Sequence, residues 1–198
     1  MGSVKISRVF LPFLVITASV SLVLAVVFMV VYNTSGSAFI KYSTAVEFPD
    51  ASGDVSAVRQ DILVIARREY DNPQPPETYI AGDWEPWCAD FVSYIYKEAG
   101  YPFVNPNSGS WRIPGIYTLR DYFTISGRWR SADDYIPKPG DVAIYDGGVF
   151  GGHTNLVLAT DDNELITLGG NEGNKINLMR FNYRDPRYGL QGFGVAPE

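Results

Sequence analysis

One cysteine and one histidine are all that this 198-residue sequence contains of those two residue types. A single Cys88 excludes an intrachain disulfide. In an exported chain, a leftover thiol is either reactive or pairs with another molecule. With one histidine, a zinc site would need carboxylates to complete it, and none stands at ligand spacing, so neither a metal nor a cofactor is expected. The Gly-x-Ser-x-Gly elbow of serine hydrolases is missing. Gly147-Gly148 and Gly151-Gly152 do not follow the phosphate-binding pattern. Basic charge is short as well. Lys+Arg number 16 against 22 Asp+Glu, a formal −6. Lys5 and Arg8 take two of the 16, which leaves 14 against 22, or −8, for everything after them. Such an acidic chain is a poor partner for nucleic acid, which needs clustered cations to neutralise phosphate.

What the chain does have begins with an uncharged run, Leu11 to Val31. As a helix these residues would span ~31 Å, enough for a bilayer core. Lys5 and Arg8 precede the run, so the positive-inside bias puts residues 1–10 in the cytoplasm and everything after residue 31 outside. The expected organisation is a signal anchor over 11–31, a Ser/Thr/Gly-rich linker over 32–54 and one domain over 55–198. A cleaved signal peptide is the competing reading, with Ser35-Gly36-Ser37 as small residues for a peptidase, and would make the domain secreted.

Within the domain, Asp54 is an N-cap candidate for a helix carrying Val55, Val58, Ile62, Ile65 and Ala66 on one stripe. Arg59, Arg67, Arg68 and Glu69 are expected on its wet side, and Asn72-Pro73 ends it. A second helix is predicted from about Trp87 to Ala99, with Gly100 as its C′ residue, and a short third from Gly115 to Phe123. After the Pro137-Lys138-Pro139-Gly140-Asp141 turn the texture changes to short strands, at 142–145, 155–160, 165–168, 175–181 and 192–196. Asp161-Asp162-Asn163-Glu164 reads as a solvated hairpin turn rather than a calcium loop. Helices first and an antiparallel sheet second make an α+β fold.

Thiolate chemistry requires a lowered thiol pKa and a proton acceptor. Cys88 stands in the first turn of its predicted helix, where free N–H groups favour an anion and could form an oxyanion hole. His153 opens a strand behind Gly152, a small residue that leaves room for substrate, and is the general base. An imidazole also needs a third group to hold its tautomer. Asn171 is the first candidate, Glu172 the runner-up and Asn155 the outsider. Trp87, beside the nucleophile, is a candidate for contact with substrate.

Trp87-Cys88-Ala89-Asp90-Phe91-Val92-Ser93-Tyr94, Pro137-x-Pro139-Gly140-Asp141, Gly152-His153 and Leu168-Gly169-Gly170-Asn171 together resemble the CHAP family. These are cysteine, histidine-dependent amidohydrolases and peptidases, relatives of NlpC-type papain-like enzymes. The resemblance runs from about Val55 to the C-terminus. It implies a papain-like fold, N-terminal helices on a small antiparallel sheet, here preceded by a single transmembrane helix. It also implies Cys88 as nucleophile, His153 as base and Asn171 as orienting residue. Some members carry a glutamate two positions before that asparagine, and Gly169 stands there in this chain. The activity implied is cleavage of amide bonds in peptidoglycan, as a stem-peptide endopeptidase or an N-acetylmuramoyl-L-alanine amidase. The expected setting is the outer face of the cell membrane, within a cell-envelope complex or alone. Two other readings stay open: an inactive anchored module that binds wall or protein, and an acyltransferase using the same acyl-enzyme.

Overall fold

The computed structural model of the chain describes residues 21–23, 26, 46–50, 55–82, 85–146 and 152–198. The predicted span over 11–31 and linker over 32–54 fall largely outside these residues, as do Asp54 and Trp84. Among the described residues no helix is long and apolar enough to cross a membrane. Ser21 to Val23 and Val26 are helical, and Leu22, Val23 and Val26 are exposed.

Among the described residues from 55 on, three α-helices precede the sheet. α1 is Ala57–Asp71, α2 Cys88–Glu98 and α3 Ile116–Ile125. The cap of α1 is Ser56, not Asp54: its Oγ accepts the Arg59 N–H, satisfying a first-turn donor. Helices α2 and α3 end alike. At α2, Gly100 has φ +89°, its N–H bonds Lys97 O, and Tyr101 N–H bonds Tyr96 O. Gly127 and Arg128 repeat this on Thr124 and Phe123 after α3. This paired closure needs a left-handed residue, which glycine adopts without steric cost.

Six strands form one antiparallel sheet in the order β1-β6-β2-β3-β4-β5. They are β1 Trp129–Ser131, β2 Val142–Tyr145, β3 His153–Asp161, β4 Glu164–Gly169, β5 Asn177–Asn182 and β6 Leu190–Gly194. The last strand lies between β1 and β2. The hairpin at Asp162-Asn163 joins β3 to β4, with Asp161 opposite Glu164. β1 was not expected from the sequence, and β3 opens at His153 as expected, two residues ahead of the stretch read as strand over 155–160.

The sheet separates two apolar clusters. One gathers Ile62 and Ala66 of α1, Phe91, Val92 and Ile95 of α2, Leu119 and Phe123 of α3, and Val142, Leu156 and Leu168 of the sheet. The other lies on the opposite face, with Tyr145, Val157, Met179, Phe181 and Phe193. Alternation along β3 sends Leu156 and Leu158 to the first and Val157 to the second, as a period of two requires. Phe91, Val92 and Ile95 are fully buried, each contributing about 1.5–3 kcal/mol of transfer free energy, which fixes the rotation of α2 and with it the position of Cys88.

The wet side of α1 departs from expectation. Arg59 and Glu69 are 2% and 1% exposed. Arg59 pairs with Asp141 at 2.9 Å and Glu69 accepts from Tyr79 Oη at 2.8 Å. Buried charge is tolerated only when paired in this way. Arg67 remains on the surface, in an i,i+4 pair with Asp71.

Candidate active site

Trp87 gives α2 no side-chain cap. The first helical bond is Phe91 N–H to Trp87 O, so the N–H groups of the opening turn are left for other partners. Cys88 sits at this mouth, 3% exposed. His153 opens β3 and is hydrogen-bonded to Cys88. Its Nε2 lies 2.7 Å from Glu172 Oε1, which leaves Nδ1 for the sulfur. The described site is thus a chain of three buried groups: thiol, imidazole and carboxylate.

Burial alone would lower the basicity of His153. The Glu172 carboxylate and the Cys88 sulfur outweigh it, through charge and through hydrogen bonds, and raise the imidazole well above its ordinary pKa. The geometry therefore favours the imidazolium form of His153 beside the sulfur.

The sequence reading had Asn171 holding the ring, and the structure gives that contact to Glu172, the runner-up. The reason is local backbone. Asn171 has φ +60°, and Gly173 and Asn174 have φ +62°. This succession of left-handed residues turns the chain so that the residue after Asn171 faces the sheet, and Glu172 is 0% exposed. The turn is closed by Glu172 N–H to Lys175 O and by Asn177 Nδ2–H to Glu172 O. Gly169 belongs to the same arrangement. A Cβ there would lie 2.7 Å from Glu172 Oε1 and 2.5 Å from Asn155 Oδ1, so a side chain at 169 would occupy the space that the carboxylate fills from position 172.

Trp87 stands apart from the role predicted for it. Its ring is 3% exposed, stacked 5.3 Å from Tyr79, and its N–H bonds Asn174 Oδ1 at 3.1 Å. It ties α2 to the loop carrying Glu172 and offers no open face to a groove. Gly170 permits this tie, because a Cβ there would meet Phe91 and Trp87 within 2.7 Å. Gly152 is held by backbone approach: a Cβ would fall 2.1 Å from Tyr145 O, so only glycine fits directly before His153.

A second charged group adjoins the helix mouth. Asp90, 0% exposed, pairs with Arg112 at 2.6 Å, and the same guanidinium nitrogen holds Glu85 at 2.6 Å. Burial pushes the Asp90 carboxyl up to about 6, Arg112 opposing and Glu85 assisting. Elsewhere, a cleft of about 720 Å³ lies between Pro49, Val55, Leu63, Pro137, Leu158 and Thr160. It sits toward the far end of β3 and includes none of Cys88, His153 and Glu172. Among the described residues no group of three His, Cys, Asp or Glu could hold a metal ion.

The CHAP domain family model matches residues 79–172. That stretch spans Cys88, His153 and Glu172, and the match supports the family resemblance of the motifs. No curated protein matches the chain. Among solved structures, Ly7917 is similar with a TM-score of 0.46 at 14% identity, over 72% of this chain and 63% of that one. Ly7917 with the hydrolyzing product of MDP gives 0.45 at 13% identity over the same shares. The chain therefore spans less than two thirds of that protein's length.

Proposed function

We propose that this protein is a cysteine hydrolase of peptidoglycan amide bonds that works through Cys88, His153 and Glu172. The observation that carries the reading is the hydrogen-bonded run from Cys88 through His153 to Glu172 at an uncapped helix mouth. The CHAP match over these residues supports the substrate class. In the first half-reaction the Cys88 thiolate attacks the amide carbonyl carbon. The tetrahedral oxygen takes hydrogen bonds from N–H groups of the α2 mouth. His153 gives its proton to the leaving amine nitrogen as the C–N bond breaks, which leaves a thioester. Water then attacks the thioester, neutral His153 takes its proton, and the carboxylate product leaves as the thiolate re-forms. Glu172 holds the ring in position and stabilises its charged form throughout.

The reading also keeps the chain anchored by residues 11–31 with the domain outside the membrane. The uncharged run and the exposed Leu22, Val23 and Val26 support it. Full-length protein in detergent, incubated with purified peptidoglycan, is expected to release fragments whose masses identify the cut bond, and Cys88→Ala to release none. A Cys88→Ala protein that still digests the wall would sink the proposal. Adding a free amine tests the acyltransferase reading, since amine-adducted products would show transfer in place of hydrolysis.

A further inference from the structure

Two oxygens beside His153 are buried with no hydrogen-bond partner among the described residues: Glu172 Oε2 and Asn155 Oδ1. Both residues are 0% exposed. An unpaired buried acceptor is costly, and buried polar groups of native proteins are nearly always paired. The two side chains share one small space. The point where a Gly169 Cβ would stand is 2.5 Å from Asn155 Oδ1 and 2.7 Å from Glu172 Oε1, so these oxygens are within 5.2 Å of each other. An amide oxygen facing a carboxylate is the wrong complement. The opposite amide orientation occupies the same volume, because oxygen and NH₂ are nearly isosteric. In it, Nδ2 faces the space above Gly169, and Oδ1 takes the position now 3.2 Å from Thr167 Oγ1. That hydroxyl can donate as readily as accept. The amide oxygen then gains a donor, and an N–H is directed toward the Glu172 carboxylate.

We propose that Asn155 is a positioning residue of the active site, its amide turned by Thr167 so that an N–H is donated to the Glu172 carboxylate. The proposal rests on the Cys88–His153–Glu172 reading above. Asn155 stands two residues after His153 and on the same face of β3, so one strand supplies the imidazole and the donor behind its counterion. A donor there supports the Glu172 charge that raises the basicity of His153. The imidazolium so favoured stabilises negative charge on the neighbouring sulfur.

The single cysteine makes the test independent of substrate, because iodoacetamide modifies one thiol and its rate against pH reports the thiolate. In the full-length protein, Asn155→Leu keeps the volume and removes the donor. It is expected to move the inflection of that profile to higher pH, slowing alkylation at pH 6 about tenfold. Thr167→Val should move it the same way by less, and Glu172→Gln at least as far. Added to Glu172→Gln, Asn155→Leu should have no further effect. An Asn155→Leu profile that overlays the wild type while Glu172→Gln shifts it overturns the Asn155 assignment and leaves the three-residue site standing. Additive effects in the double variant overturn it equally. If Glu172→Gln also changes nothing, the three-residue site itself fails. Should Asn155→Leu not fold, the side-chain amide protons of wild-type Asn155 provide the readout by NMR. They should be protected from exchange and shift in Glu172→Gln, and unshifted resonances would overturn the proposal.

Discussion

Asp141 and Glu172 are both fully buried carboxylates that lean on β3, and they are furnished in opposite ways. Asp141 receives four donors: Arg59 on Oδ1 at 2.9 Å, Ala196 N–H on Oδ1, and Tyr135 Oη and Lys138 N–H on Oδ2. Its own carbonyl accepts from Val157, and Gly140 beside it bonds Val157 O and receives the Tyr96 hydroxyl. One residue of the Pro-x-Pro-Gly-Asp turn thus joins α1, the last strand's exit and, through its neighbour, α2 and β3. Glu172 has one partner on the imidazole and an oxygen left over. A carboxylate with both oxygens paired to fixed donors is rigid and structural. One built on an imidazole is more open, because an imidazole can give up its proton, which is what chemistry requires. The CHAP-like motifs contain both kinds, and only the structure tells which motif is a staple and which is a reactive group.

Four measurements break or sharpen this contrast. Cys88→Ala should lower peptidoglycan cleavage by about 10⁴-fold or more with an unchanged melting temperature, since it touches the open network alone. The closed network should answer in the other way. Asp141→Ala strands the Arg59 guanidinium in the core and should cost about 3–5 kcal/mol of stability in denaturant titration. If Asp141→Ala lowers cleavage without loss of stability, the division of roles is wrong. Glu172→Gln should lower kcat by about 10²-fold or more through lost orientation of His153, with less than half the stability loss of Asp141→Ala.

The smallest effect is the pH response of Asp90. Its carboxyl, raised by burial to about 6 from an ordinary 3.8, binds a proton in the fold that the unfolded chain has already released. Stability from this group is therefore full below about pH 4, falls as pH rises to about 6, and is flat above. The change is on the order of 3 kcal/mol. Asp90→Asn should flatten that slope in melting curves taken across the window, and an unchanged slope would place the titration elsewhere.

Much of the architecture could be read from local chemistry. Gly100 marked the end of α2, Asn72-Pro73 the end of α1, and the apolar stripe of α2 its buried face. β1 escaped notice because it is three residues long and mostly exposed, with no alternation, and it exists through pairing with β6, more than sixty residues later. Arg59 and Glu69 were placed in water because a helical wheel knows only its own helix. Asp141 lies 82 residues from Arg59, and Tyr79 approaches Glu69 only after α1 has ended and the chain has turned back. The shift from Asn171 to Glu172 is a matter of one residue and one positive φ, below what periodicity can resolve.

The amino-acid sequence alone determined the proposed reactive pair. With one thiol and one imidazole, each placed at the opening of an element by its glycine, capping and apolar neighbours, no other pairing was available. Tertiary structure decided which carboxylate completes it, which charges are buried, and that Trp87 is a brace. Those outcomes depend on distances between segments far apart in the chain, and local propensity carries no information about such distances until the sheet has closed.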